Sequence, residues 1–479
     1  MEYDMITPDI DLGGRRLVIC SNREPYTVEK RGKDYEFEGT KGGLASALTP
    51  IMRSARGLWI SWGGSAGDEL PETQKVPAEE PTFTQQRVFL TEEQVNDFYY
   101  GFSNQALWPL CHYFLGRCHF EAHHWKVYRE VNAKYADTIA EYADPEGDII
   151  WLQDYHMALV GRMLAERKPG LTTGLFWHIP FPAPDFFVFL PWGRDILEGL
   201  LGNDVIGFHT PGNCINFGRS CRRLLGCDWD DEKLEVRHQG RTTKLLPLGI
   251  GVNFEYFNAL GSSDSVRERA VQIKQEVGVE RLVLGVDRLD YSKGIRERLL
   301  AIEKLLENHP EHIGSVSHLQ IAVPSRTDIT EYEEMVASVN YEVGRINGRF
   351  SREGWVPIHY YFYGFPQEEL AAYYVAADVA LITPIVDGMN LVAKEFVAAR
   401  SDRDGVLILS EFAGTALEFS EMDAVNPFNV GQTAEAIHRA LTMKKPERQY
   451  LMDHMRDRVQ RRDLGWWVRE NIKAIVQRI

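Results

Sequence analysis

Short apolar runs recur along the chain, separated by stretches in which apolar residues return every three or four positions. The runs predict strands at Arg16–Ser21 (RLVICS), Asp148–Leu152 (DIIWL), Thr173–His178 (TGLFWH) and Asp204–Phe208 (DVIGF) in the first half. In the second half they predict Leu282–Val286, Leu319–Val323 (LQIAV), Ile358–Phe362, Val379–Thr383 (VALIT) and Gly405–Leu409 (GVLIL). In GIRERLLAIEKLLENHP, Ile295, Leu299, Ile302, Leu305 and Leu306 form one helical stripe that stops at Pro310. PQEELAAYYVAAD opens on a proline and acids, as helix starts do. Strands alternating with helices imply parallel sheets covered by helices.

No internal repeat or low-complexity segment interrupts this pattern. The segment Lys244–Phe257 (KLLPLGIGVNFEYF), with Pro247, Gly249 and Gly251, breaks it near the middle and marks a domain junction. The expectation is an α/β protein of two Rossmann-like, doubly wound domains facing across a cleft. Residues 1–250 form the first, joined by a C-terminal helix within 460–479, and residues 251–459 form the second. In such sheets ligands bind at the carboxyl ends of the strands.

Composition narrows the partners. The 479 residues are 44% hydrophobic and 25% charged, which suits a soluble globular chain. Lys+Arg 53 against Asp+Glu 69 gives a formal charge of −16, which argues against nucleic acid or an anionic membrane as the main partner. A local basic pocket for a phosphate remains compatible with it. No apolar run reaches the roughly 18 residues of a spanning helix. The acidic start MEYDMITPDIDLGG lacks a signal-peptide layout. Six cysteines, none in a CxxC pair, suit a reduced, buried state. A cytoplasmic protein is expected, and a homo-oligomer stays open.

Candidate chemistry gathers at strand ends. In LGVDRLDYSKGI (Leu284–Ile295) the apolar run stops at Asp287, and Arg288, Asp290 and Lys293 follow before a helix. Charges in that position are expected outside the core. Arg288 and Lys293 suit a diphosphate; an exposed ion-pair cluster with Asp287 and Asp290 fits equally well. In TPIVDGMNLVAKEFVAAR (Thr383–Arg400), Asp387–Gly388 marks a turn before a helix expected near Met389 or Asn390. Gly388 lets backbone approach a ligand, and the free N–H groups of a helix start favour an anion. Glu395 is spaced to reach a ribose diol. Beside the basic strand end, this suggests a nucleotide diphosphate bound without metal.

The first half adds four polar strand ends: His178 before Pro180 and Pro182, Asp154 with His156, Arg23, and Gly42–Gly43 before a helix. Four together suggest a shared cleft. Asp228–Asp231 (DWDD) is expected to be a solvated turn, and His123–His124 lacks partners at metal spacing. Neither GxSxG nor GxxxxGK[ST] occurs.

Taken in order, SNRxP, GGL, FSNxxLWPLxHY, DYH, HIPFP, LPW, GFHT, GVDRLDYxKGI, SRxD, GRINGRF and DGMNLVAKE resemble the trehalose-6-phosphate synthase family, glycosyltransferase family 20. The similarity runs from about Arg16 to the C-terminal helix. It implies two Rossmann-like domains with the active site between them (the GT-B fold), no cofactor and no catalytic metal. It also implies transfer of glucose, with retention, from UDP- or GDP-glucose to glucose 6-phosphate, giving α,α-trehalose 6-phosphate.

Residue by residue, Arg288 and Lys293 are similar to the family's diphosphate clamp, and Gly43 to the loop residue that approaches the phosphates. Asp387, Gly388, Met389, Asn390, Leu391 and Val392 resemble the donor loop, and Glu395 the ribose ligand. His178 and Asp154 match positions around the transferred glucose. Arg23, Tyr99, Trp108 and Arg326 match the residues holding the acceptor. The resemblance implies same-face attack, with the leaving phosphate assisting deprotonation, and so no enzymic nucleophile.

Three departures stand out: Gln153 for the first His of HDYH, Val386 for the Arg of LRDGMN, and Tyr100 for a common Asn. The SNREPYTVEK loop is also unusual beyond SNR. They leave open an acceptor such as glycerol 3-phosphate, although Tyr99, Trp108 and Arg326 favour a hexose phosphate. A non-catalytic sugar-phosphate sensor and an enzyme joining cyclitols through nitrogen are further alternatives.

Overall fold

A computed structural model describes residues 10–31, 34–39, 43–64, 71–76, 82–324, 330–419, 422 and 424–478. Two compact units emerge. One runs to Gly249 and takes the chain back from Gly465; the other spans Ile250–Leu464.

The first unit is built on seven parallel strands. They are β1 (Arg16–Arg23), β2 (Leu58–Trp62), β3 (Phe83–Arg87), β4 (Asp148–Gln153), β5 (Thr172–Trp177), β6 (Val205–Phe208) and β7 (Arg241–Pro247). Their spatial order is β7-β6-β5-β4-β1-β2-β3, with antiparallel additions at both edges. The strand order reverses between β1 and β4, which makes their carboxyl ends the expected ligand side. β4 and β5 are buried at every position, as strands covered on both faces must be.

The second unit repeats the logic with β8 (Arg281–Arg288), β9 (Val316–Val323), β10 (Ile358–Tyr361), β11 (Val379–Ile382), β12 (Val406–Ser410) and β13 (Ala424–Val425). All pair parallel, in the order β10-β9-β8-β11-β12-β13, and the reversal lies between β8 and β11. The helix Ile295–Asn308 buries its predicted stripe: Ile295, Leu299, Ile302, Leu305 and Leu306 are all at most 3% exposed.

Several elements differ from the sequence expectation. β3 reads FTQQR, and its Gln85, Gln86 and Arg87 are buried through hydrogen bonds rather than by apolar character. Within Lys244–Phe257 the units divide between Gly249 and Ile250, while Arg241–Pro247 pairs with β6 and a helix starts at Phe254. DWDD is not a solvated turn: Asp228–Asp230 is an antiparallel strand against Glu235–Arg237. The apolar-rich stretch Val95–Leu107 is a thirteen-residue π-helix, a wide coil that no local pattern announces.

The C-terminal helix Leu464–Val476 seats on the first sheet, and residues 460–464 stay with the second unit. Trp467 is fully buried, 5.2 Å from the Trp151 ring and 4.8 Å from Phe176. Gly174 permits this approach, since a Cβ there would lie 2.4 Å from Ile475. Trp467→Ala is therefore expected to cost about 3–5 kcal/mol. Urea unfolding of the full chain checks this; an unchanged midpoint would contradict it.

Candidate active site

In the second unit the strand end of β8 splits its four charges. Arg288 is the exposed last residue of the strand. Asp287 and Asp290, expected outside the core, are 4% and 1% exposed. The reason is that each has buried partners. Asp287 accepts from Arg298 at 2.5 Å, and burial still pushes its carboxyl above the ordinary range. Asp290 caps the turn at Tyr291–Lys293, accepting from Ser292 N (2.9 Å) and Oγ (2.7 Å), and takes the Tyr332 hydroxyl at 2.7 Å. The two carboxylates thus shape the loop that presents Arg288 and Lys293.

Gly294 then turns the chain with φ 62°, and a Cβ there would meet the Thr383 carbonyl at 2.3 Å. This close approach brings the Lys293 loop against the loop after β11. Lys293 Nζ lies 2.6 Å from Asp387 Oδ2, both largely buried. Asn390 Nδ2 donates to the same oxygen at 3.1 Å.

The helix expected near Met389 or Asn390 starts at Leu391, because Asn390 is its cap and accepts from Ala393 N at 3.0 Å. Asn390 holds φ 85°, a costly conformation kept at the site. Gly388 and Met389 lie against Gly414, where a Cβ would approach the Gly388 carbonyl at 2.1 Å. Leu391 and Val392 form the first helical turn, whose N–H groups have no intrahelical acceptor. One turn on, Glu395 accepts from the Tyr374 hydroxyl at 2.8 Å, and burial raises its carboxyl pKa despite that bond. Val386 stacks no side-chain charge here; its N–H reaches Ser292 O at 3.4 Å.

In the first unit Asp154 follows β4 with φ 72° and ψ 173°, a region costly for any residue but glycine. Its Oδ1 accepts from Tyr155 N (2.9 Å) and His178 N (3.0 Å), which ties the ends of β4 and β5 together. The His178 ring hydrogen-bonds Gln153 Oε1 through Nε2 at 3.0 Å. Burial, with His209 and His156 nearby, holds its pKa well below the ordinary value, so the imidazole is neutral at physiological pH. Gln153, where the resemblance leads one to expect a histidine, thus gives His178 a neutral acceptor.

Arg23, exposed at the end of β1, lies over the rings of Trp62 (5.3 Å) and Tyr99 (5.1 Å). The π-helix carries Tyr99, which stacks on His156 at 5.9 Å and meets Tyr100 edge-on. Trp108 is buried, 6.1 Å from the Tyr155 ring. Beside Arg23, Glu24 is buried and accepts from Arg87 at 2.8 Å and from Gln85. That pair accounts for the glutamate in SNREP: it pins the segment that presents Arg23.

The structure thus brings together Lys293, Asp387 and Asn390 in one unit, and Asp154 with His178 and Arg23 with Tyr99 in the other. Gly43 opens the helix Gly43–Ala55, with residues 40–42 outside the described set. Arg326 also lies outside the described residues. His123–His124, expected to lack partners at metal spacing, do have one, since Asp97 of the π-helix comes within 4.8 Å of both. Sequence reasoning missed Arg298, Gly294, Gly414, Trp62 and Arg87. Arg298 had a signal: it shares the apolar stripe of Ile295 and Ile302.

The chain matches the model of glycosyltransferase family 20 over residues 15–477. It is 38% identical to the trehalose-6-phosphate synthase of Mycobacterium sp. (strain KMS), covering 98% of this chain and 96% of that one. It is 40% identical to the bifunctional trehalose-6-phosphate synthase/phosphatase of Thermoproteus tenax, covering 96% of this chain but only 63% of that protein's length. The structure also resembles the crystal structure of a UDP-forming α,α-trehalose-phosphate synthase from Burkholderia xenovorans in complex with glucose 6-phosphate. The TM-score is 0.88 at 33% identity, over 96% of this chain and all of that one.

Burial raises the Glu24 carboxyl to about 6, outweighing the attraction of Arg87. A raised carboxyl favours the protonated fold, so this contribution is present below the unfolded value of 4.5 and is lost as pH rises through about 6. The stability of Glu24→Gln relative to the parent is expected to improve by about 2 kcal/mol between pH 4 and 7. Denaturant unfolding across that range checks it; a flat difference would contradict it.

Proposed function

The chain belongs to glycosyltransferase family 20, and from that premise we propose that it moves glucose from UDP-glucose to glucose 6-phosphate, with retention, to give α,α-trehalose 6-phosphate. The observation that carries this reading is the Lys293–Asp387 pair, which locks the basic loop after β8 to the glycine turn before a helix start. The loop, the turn and the helix N-terminus together suit a diphosphate at the switch point of the second sheet.

In the proposed reaction the bond between the glucose anomeric carbon and the diphosphate oxygen breaks, and the electron pair leaves with UDP. Arg288 and Lys293 stabilise that growing charge, so no metal is required. The acceptor's anomeric hydroxyl attacks from the same face, and its proton passes to the departing phosphate oxygen. Glu395, steadied by Tyr374, takes the ribose diol. Neutral His178 hydrogen-bonds the transferred glucose without repelling an oxocarbenium-like centre. Asp154 serves as a brace, its Oδ1 accepting two backbone N–H groups.

On the acceptor side Arg23 offers a guanidinium to the 6-phosphate, held in place by Trp62 and Tyr99, and Trp108 borders the sugar. We place the reaction in the cytoplasm. All six cysteines are free thiols, and none of the described helices is long and apolar enough to cross a membrane.

Nucleotide release is measured from UDP- and GDP-glucose, each with glucose 6-phosphate or glycerol 3-phosphate, in EDTA. The expected result is release of UDP with glucose 6-phosphate and an α,α-1,1-linked product. Arg288→Ala should lower kcat by roughly 100- to 1,000-fold without a change in Tm. Activity with glycerol 3-phosphate alone, a strict metal requirement, or near-normal turnover in Arg288→Ala would overturn the proposal.

A further inference from the structure

At the end of the second sheet away from Arg288, three imidazoles and two carboxylates converge. The register pairs Arg288 with Val323 at one end of β8 and Arg281 with Val316 at the other, about 23 Å apart at ~3.3 Å per residue. Just before Val316 the chain reads His309-Pro310-Glu311-His312, in a tight turn after the helix Ile295–Asn308. Facing it, Glu435 and His438 lie one turn apart on the helix Val430–Thr442.

We propose that His309, Glu311, His312 and His438 form a binding site for a divalent transition metal of the zinc class. The distances fit. Around a tetrahedral zinc with bonds of 2.0–2.1 Å, ligand atoms sit roughly 3.3 Å apart. Here His312 Nε2 is 3.0 Å from His438 Nδ1, His309 Nδ1 is 3.3 Å from Glu311 Oε1, and His438 Nδ1 is 4.0 Å from the same Oε1.

A second, independent feature points the same way. His309 turns its other nitrogen, Nε2, to the Glu435 carboxylate at 3.1 and 3.2 Å, and Asn308 Nδ2 supports that carboxylate at 3.3 Å. A carboxylate behind a histidine is the arrangement that fixes a ligating imidazole and raises its basicity. Three nitrogens and one oxygen select zinc, copper or nickel over magnesium or calcium, which require oxygen.

His312 is buried, whereas Glu311 is open to solvent and leaves an entry path. The His309 and His438 rings are stacked at 3.6 Å and 8°. A shared ion requires one of them to turn out of that stack about χ2, a soft torsion in histidine. The bound ion clamps the end of helix Ile295–Asn308, which also carries Arg298, to helix Val430–Thr442. It takes no part in transfer, so activity in EDTA is retained.

The test uses the full chain, stripped with EDTA and desalted, and titrated with Zn2+ by calorimetry and with Co2+ by visible absorption. The expected result is one site with low-symmetry Co2+ ligand-field bands and a rise in Tm on adding Zn2+. In His309→Gln/His438→Gln the affinity should fall at least 100-fold and the Tm rise should vanish. Glu435→Gln, which keeps every ligand, should weaken binding about 10- to 100-fold. Parent-like binding in both variants, binding only at millimolar Zn2+, or loss of the site in His123→Gln/His124→Gln instead would overturn the proposal.

Discussion

Arg298 places a guanidinium where no water reaches it, and the second unit's strand ends are arranged around its needs. Its Nη1 donates to Asp287 at 2.5 Å and to Gln320 Oε1 at 2.9 Å, its Nε to Thr383 Oγ1 at 3.1 Å, and its Nη2 to the Lys293 carbonyl at 3.3 Å. Those four acceptors come from β8, from β9, from the residue after β11 and from the Lys293 loop. A buried charge tolerates few arrangements, because each missing acceptor costs about 1–3 kcal/mol or more. The loop presenting Arg288 and Lys293 is therefore held from below, and the Lys293–Asp387 pair is fixed by something other than its own attraction.

The first unit solves the same problem with different means. Asp154 adopts a backbone conformation that costs energy, and its carboxylate recovers part of that cost by joining β4 to β5 beside His178. Glu24 and Arg87 bury an ion pair under the segment that carries Arg23. In both units, groups expected to face a ligand are aimed by buried polar partners. Gln153 shows why a departure from the family pattern need not disturb the site: it keeps a hydrogen bond to His178 from a fully buried position.

Much of this was legible from residue order. The strands buried on both faces announce themselves as apolar runs, and the stripe of helix Ile295–Asn308 is buried as read. What was hidden depended on long-range pairing. β3 carries buried glutamines and an arginine that only distant partners satisfy, so its pattern resembles a loop. Asp287 and Asp290 were misjudged because a charge at a strand end is normally solvated, and their partners lie beyond the local sequence. Yet Gly285 carried a hint. A Cβ there would sit 2.4 Å from Gln320 Oε1 and 2.7 Å from Arg298 Nη1, so the glycine clears the space that the buried guanidinium fills.

If Arg298 is the hub, its removal must act on stability and on nucleotide binding separately. Unfolding free energy and UDP affinity would be measured for Arg298→Met, and for Arg298→Met combined with Asp287→Leu. The account expects the single variant to lose about 3–5 kcal/mol by stranding Asp287. The double variant should recover most of that loss, and UDP binding should stay weakened in both. Parent-like UDP affinity in the refolded double variant would show that Lys293 and Asp387 hold their places without Arg298, and would contradict the account.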